Sequence, residues 1–187
     1  MRHGKPVVNR RTPVPGFAFG DWIRSYNEAP LDVTYLPPAS LRARVPAMGC
    51  IATSPLRRSR ESAALLAPGR PLVCDALFVE AGSPHTTQLR LALPPALWTL
   101  LFRVAWFCGR SQDAESLREA RRRAQSAAER LVELAREHGS VMLIGHGQLN
   151  RLISTALLRM GWHGSRSGRR YWSVGDLRLS HDHRTCG

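Results

Sequence analysis

Residues 141–161 read VMLIGHGQLNRLISTALLRMG. The first four, Val141 to Ile144, are apolar without alternation, as a strand buried on both faces of a parallel sheet requires. Gly145-His146-Gly147 interrupts the run. Beyond it Leu149, Leu152, Ile153, Ala156, Leu157 and Met160 recur at the three- and four-residue steps of one helix face, with Gly161 as the stop. A buried strand that turns through glycines straight into a helix predicts an α/β fold, and the remaining chain repeats that alternation.

Upstream, CIATS at 50–54 is a short apolar run ending in small polar residues, which suits a strand entering a turn. A helical pattern follows from Pro55, a residue tolerated in a first turn, and Pro68-Gly69 stops it. PLVCD at 71–75 predicts a second strand. Helices are expected at 21–28, at 40–47 and near 96–107, and the clearest runs from about Asp113 to His138, closed by Gly139. A late strand is expected at 172–179. Strands alternating with helices give a three-layer α/β/α sandwich with a mostly parallel central sheet. With 187 residues, 43% of them hydrophobic and 22% charged, the chain is long enough for one self-sufficient core. The expected division is a single domain over 1–180 and a flexible polar tail over 181–187.

The formal net charge of +13 invites an anionic partner. Lys5 is the only lysine, however, and the arginine excess resembles GC-rich codon usage more than a selected binding face. No block of five or six like charges occurs; the densest runs are at 121–123, in a helical pattern, and at 166–170, in a Gly/Ser-rich loop. Composition therefore points to a phosphate-sized anion rather than to nucleic acid. Cys50, Cys74, Cys108 and Cys186 are widely spaced without a CxxC pair, as expected of reduced thiols in a cytoplasmic protein. The start lacks the charged-then-apolar pattern of a signal peptide. The most apolar stretch, LALPPALWTLLFRVAWFCG at 91–109, is broken by Pro94, Pro95 and Arg103, which argues against a membrane span. Nothing in the sequence sets an oligomeric state.

Three segments carry chemistry in a shared context. Arg2-His3-Gly4 heads the chain, Ser54-Pro55-Leu56-Arg57-Arg58 leaves a strand for a helix, and Gly145-His146-Gly147 does the same. In open α/β sheets ligands bind at the carboxyl ends of strands, where helix N-termini also present free N–H groups to an anion. Converging there, these residues would cradle a phosphoryl group, and the glycines would permit close backbone approach.

In these segments the chain resembles the histidine phosphatase superfamily, the group that includes cofactor-dependent phosphoglycerate mutase, the fructose bisphosphatase domain and small phosphatases. The likeness runs from residue 2 to about residue 160. The family's RHG signature matches Arg2, His3 and Gly4, and an asparagine six residues after that histidine matches Asn9. The Ser-x-Leu-x-Arg segment matches Ser54, Leu56 and Arg58, and the second histidine matches His146. The acidic proton donor falls on Glu80 in FVEAG, with Asp75 as the fallback.

The resemblance implies a phosphomonoesterase acting through a phosphohistidine on His3. Arg2, Asn9, Arg58 and His146 would hold the phosphate, and Glu80 would serve as acid and base. That acid role asks for a carboxyl that keeps its proton near working pH. No cofactor and no metal are needed. The implied partner is a phosphorylated small molecule or a phosphoprotein. Two alternatives stand beside this reading. One is mutase-type phosphotransfer, although the insertions of the longer phosphoglycerate mutases have no counterpart here. The other is a catalytically silent relative that binds phosphorylated ligands or a partner. It is motivated by the first strand: family members place RHG at the end of a central buried strand, whereas only Met1 precedes it here, so that strand is expected to be truncated.

Other residues read more blandly. His181, His183 and Cys186 could ligate a metal but fit a polar tail. His138 suits a helix end, and His85 a loop at the pocket mouth. Trp98, Phe102, Trp106 and Phe107 read mainly as core.

Overall fold

In the computed structural model, which describes residues 1–85, 88–111 and 114–179, three parallel strands form the centre of the fold. In chain order the strands are β1 (Val14–Pro15), β2 (Cys50–Thr53), β3 (Leu72–Cys74), β4 (Ala92–Leu93), β5 (Val141–Ile144), β6 (Trp162–Ser165) and β7 (Asp176–Leu179). The helices are α1 (Phe19–Glu28), α2 (Ala39–Arg42), α3 (Arg57–Leu66), α4 (Pro95–Phe107), α5 (Leu117–His138) and α6 (Gly147–Arg159). β2 lies between β3 and β5, with Ile51 opposite Leu72 on one side and Met142 on the other. β1 pairs antiparallel with β4, and β6 with β7.

The central strands alternate between two packed faces. Cys50, Ala52 and Leu143 join Ala124, Ala127, Leu131 and Leu134 of α5 and Leu149, Ile153 and Leu157 of α6. Ile51, Met142 and Ile144 point the other way, onto Leu41 and Val45 and onto Ala63 and Leu66 of α3. With both faces covered, β2 and β5 read as nearly continuous apolar runs, whereas β3 at the edge leaves Leu72 and Cys74 exposed. The result is the three-layer α/β/α sandwich. A separate aromatic cluster of Phe19, Trp98 and Phe102 ties α1 to α4. Leu97, Leu100, Leu101, Val104 and Phe107 of α4 stay exposed, and no helix among the described residues is long and apolar enough to cross a membrane.

The amino terminus enters the sheet as a fragment of strand. Met1 N donates to Leu143 O at 2.5 Å, Gly145 N to Met1 O at 3.0 Å and His3 N to Gly145 O at 3.0 Å, giving one parallel bridge between Arg2 and Gly145. On its other side Arg2 N reaches Ser173 O at 2.9 Å. The tripeptide therefore stitches β5 to the segment leading into β7. Beneath it the two edges stay apart around a cavity of about 670 Å³, whose walls include Val141, Leu143, Ile153, Leu157, Leu177 and Leu179.

Several element limits differ from the sequence reading. The helix expected at 40–47 ends at Arg42, and a separate 3-10 turn covers Val45–Ala47. α5 starts at Leu117 because Ser116 and Glu119 form a reciprocal capping box. The late strand begins only at Asp176, since Trp172 sits in the left-handed region at φ 61° and turns the chain. Its partner β6, sequence WHGS, carries no apolar alternation and escaped prediction. The expected tail at 181–187, with His181, His183 and Cys186, lies outside the described residues. Among the described residues no cluster of His, Cys, Asp or Glu could hold a metal ion.

Candidate active site

β5 ends at Ile144 and α6 begins at Gly147, which leaves His146 as the N-cap residue of that helix. Two neighbours fix its position. Its backbone N–H donates to Asn150 Oδ1 at 3.2 Å, and the same amide donates through Nδ2 to Met1 O at 2.7 Å. Asn150 thus couples both histidine-bearing segments. It also explains Gly145, because a Cβ there would lie 2.4 Å from Asn150 Oδ1. Gly4 is equally constrained, with Trp172 at 2.4 Å from the place of a Cβ. These two glycines admit protein neighbours rather than ligand.

His3 and His146 are both buried, with ring centroids 5.2 Å apart. His3 Nδ1 lies 2.7 Å from Gly4 O. A carbonyl only accepts, so Nδ1 carries the proton and Nε2 keeps its lone pair. His146 Nε2 lies 2.6 Å from Ser54 Oγ, which itself accepts the Leu56 N–H at 3.3 Å. The serine proton is then free to point at Nε2, which puts the His146 proton on Nδ1, a buried atom without a protein acceptor. Burial, followed by Arg58, holds both imidazoles well below the usual histidine range. Both rings are neutral at physiological pH.

α3 supplies the cations and the serines that place them. Its N-cap region follows Thr53 directly, so Arg58 falls in the first turn at the end of the sheet. Arg58 is 2% exposed; its Nη1 donates to Asn27 Oδ1 at 2.8 Å, its Cζ lies 4.8 Å from the Tyr26 ring centroid, and burial lowers its pKa. Arg2 lies with Cζ 4.6 Å from the Tyr171 centroid and donates to Arg169 O. The Nε atoms of both arginines are buried without a protein partner. Unpaired buried donors are costly, about 1–3 kcal/mol each, which marks this cleft as built for acceptor oxygens. Ser62 Oγ accepts the Gly4 N–H at 2.8 Å and donates to Arg58 O at 2.5 Å. Ser59 Oγ accepts from Ser54 N at 3.1 Å and donates to Ile144 O. Both serines are fully buried.

Glu80 is half-buried beside the same helix end. Its carboxylate accepts from Leu149 N at 2.9 Å, Gln148 N at 3.3 Å and Ala81 N at 3.0 Å, so it occupies the anion position at the N-terminus of α6. The loop that carries it is pinned from two helices. Arg103 donates to the Ala81 and Gly82 carbonyls, and Arg123 donates to those of Leu77 and Val79 while pairing with Glu115 at 2.6 Å. Arg123, one of the densest charges in the sequence, is thus a loop anchor. Asp75 instead caps the 3-10 turn Ala76–Phe78 through Leu77 N and lies 4.0 Å from Arg130.

Of the residues expected together, Arg2, His3, Arg58, Glu80 and His146 converge. Asn9 does not. It is exposed, its Oδ1 accepts the N–H groups of Arg11 and Thr12, and its Nδ2 donates to Thr12 Oγ1, so its side chain is committed to its own turn. The next residue, Arg10, takes its place near the cleft, donating to Tyr171 OH at 3.1 Å. His85 packs against α1, where a Cβ on Gly20 would come within 2.8 Å of its ring. Sequence reading passed over Ser54 as a histidine partner, and over Ser59, Ser62, Asn150, Tyr26 and Tyr171. Only Ser54 had a sequence signal, its place in the Ser-x-Leu-x-Arg segment.

Comparison with known proteins gives the family and the fold. The model of the histidine phosphatase superfamily (branch 1) matches residues 39–186. No curated protein matches the chain by sequence. Among solved structures, an open reading frame product of Mycobacterium tuberculosis superposes with a TM-score of 0.56 at 18% identity, covering 95% of this chain and 93% of its own. A mycobacterial glucosyl-3-phosphoglycerate phosphatase gives 0.53 at 21% identity, covering 84% and 77%. The same kind of enzyme in complex with inorganic phosphate gives 0.56 at 18%, covering 95% and 93%. At these identities the structural likeness speaks for the fold.

Proposed function

The chain belongs to the histidine phosphatase superfamily, and from that premise we propose that it hydrolyses phosphate monoesters through a phosphohistidine on His3. The observation that carries the proposal is the Nδ1 contact of His3 with Gly4 O, which leaves Nε2 as a free nucleophile beside the unpaired N–H groups of Arg2 and Arg58.

In the first step the Nε2 lone pair of His3 attacks phosphorus and the bond to the leaving oxygen breaks. Glu80 delivers the proton that oxygen needs. In the second, water attacks the phosphohistidine and gives a proton back to Glu80, and the N–P bond breaks to release phosphate. Splitting the displacement this way replaces one hard step by two easier ones. Arg2, Arg58 and the Nδ1–H of His146 neutralise charge on the transferred oxygens, and each such preorganised donor is worth about 10²–10³ in rate. Acid–base help from Glu80 is worth about 10²–10⁴. The substrate is a phosphorylated small molecule or a phosphoprotein, and residues 1–180 act as one domain.

A second reading, a silent phosphate-binding relative, draws support from the thin anchoring of the nucleophile's segment, which joins the sheet through the single bridge between Arg2 and Gly145. Misplacing a reacting group by about 1 Å can cost 10² in rate. One experiment separates the two. The protein is mixed with p-nitrophenyl phosphate, quenched, and mapped by mass spectrometry. Phosphate on His3, with turnover abolished by His3→Ala, supports the hydrolase; equal turnover by wild type and His3→Ala eliminates it.

A further inference from the structure

Three guanidinium groups surround two tyrosines, and the reaction above uses only two of them. Arg2 stacks on the Tyr171 ring and Arg58 on the Tyr26 ring, at 4.6 and 4.8 Å. Arg10 meets both tyrosines differently: Nη1 donates to Tyr171 OH at 3.1 Å, and Cζ lies 6.0 Å from the Tyr26 centroid. Its Nε is buried without a hydrogen-bond partner. Among the described residues, none of the three is within ion-pair distance of a carboxylate. Unpaired like charges gathered around one cleft favour anionic ligands.

Position separates Arg10 from the other two. Arg58, 2% exposed, lies deepest, and Arg2 and Arg10 are both half-buried. Arg2 lies over the face of Tyr171, whereas Arg10 is at the hydroxyl end of that ring. The phosphoryl group belongs between the histidines and the inner guanidiniums, and the leaving group must face the way out. Tyr171 positions Arg10: the residue after the tyrosine, Trp172, is held at φ 61° and donates through Nε1 to Tyr35 O at 2.9 Å, which fixes the turn presenting the tyrosine.

We propose that Arg10, held by Tyr171 OH, forms a second anion subsite, so that the preferred substrates are phosphate monoesters whose leaving group carries a further anionic group. This rests on the phosphatase reading for the inner phosphate position only. A charge-assisted hydrogen bond is worth about 1.5–3 kcal/mol, which corresponds to roughly 10- to 150-fold in affinity.

The test compares 3-phosphoglycerate with glycerol 3-phosphate, which differ by a carboxylate in place of a hydroxymethyl group. Dissociation constants are measured on the His3→Ala protein, which separates binding from chemistry, and kcat and KM on the wild type. The expected result is tighter binding and lower KM for 3-phosphoglycerate by about 10-fold or more. Arg10→Met, in either background, should erase that preference while leaving glycerol 3-phosphate within about threefold, and Arg10→Lys should keep part of it. Tyr171→Phe, which removes the hydroxyl that holds Arg10, should weaken the preference. Equal binding of the two esters, or a preference that survives Arg10→Met in protein with an unchanged melting transition, overturns the subsite. A binding preference without phosphohistidine formation overturns the hydrolase and leaves the subsite standing.

Discussion

His3 and His146 are oriented by neighbours that carry no charge. Ser54 orients His146 through the 2.6 Å contact with Nε2, and this decides which ring nitrogen is left to face an oxyanion. Ser54→Ala should therefore lower kcat more than it raises KM, by about 10-fold, because the wrong tautomer becomes accessible, and Ser54→Thr should restore most of the loss. Steady-state phosphate release checks this; unchanged kcat in the alanine variant would show that the serine does not set the tautomer. Ser62 acts on the nucleophile's own loop. Removing its hydroxyl leaves the buried Gly4 N–H unpaired, and Ser62→Ala should cost about 1–3 kcal/mol in chemical denaturation. The RHG and GHG segments announced themselves in the sequence because chemistry restricts their residue types. Ser59, Ser62, Asn150 and Tyr171 did not, since a serine or tyrosine reads the same whether it is solvated or buried against a backbone 58 to 149 residues away.

α6 and α3 share one job, presenting their N-termini at the carboxyl end of the sheet. α5 serves them indirectly, by packing along α6 and by sending Arg123 to the carbonyls of Leu77 and Val79 below Glu80. Arg123→Met should consequently lower kcat/KM for a phosphate ester by about 10- to 100-fold through a loosened Glu80 loop, with the phosphohistidine still forming when the leaving group is nitrophenolate, which needs no proton. A rapid-quench comparison of that ester with an alkyl phosphate reads the difference. The start of α5 gives a purely structural prediction. Ser116→Ala removes the capping box and should cost about 1 kcal/mol, measured as a shift in the denaturation midpoint, without changing kcat. Helix faces and central strands were legible because their periods are local. β6 was not, because its residues Trp162–Ser165 form a strand only through pairing with β7.

The molecule as a whole keeps two imidazoles neutral inside a basic protein, and its stability must reflect that. In the unfolded chain each histidine titrates near 6.5, whereas in the fold both lie well below it. The unfolded state thus binds more protons below about pH 6.5, and folding free energy from this source is fully present above that pH and is lost as the pH falls beneath it. The limiting slope is about 1.4 kcal/mol per pH unit for each histidine. Urea midpoints at pH 7.5, 6 and 5 should fall progressively, and the fall should be shallower in a His3→Gln, His146→Gln double variant. Equal slopes would show that neither histidine is held neutral. The α/β alternation, the placing of Arg58 and His146 at strand–helix junctions, and the family they belong to were determined by the sequence alone, because each follows from residue types and spacings within one short segment. Which arginines lose their water, that Asn9 turns away while Arg10 turns in, that Glu80 caps α6, and that a cavity opens beside Met1 between β5 and β7 were decided only by the tertiary structure. These depend on desolvation and on hydrogen-bond partners brought together from distant segments, and no local pattern encodes them.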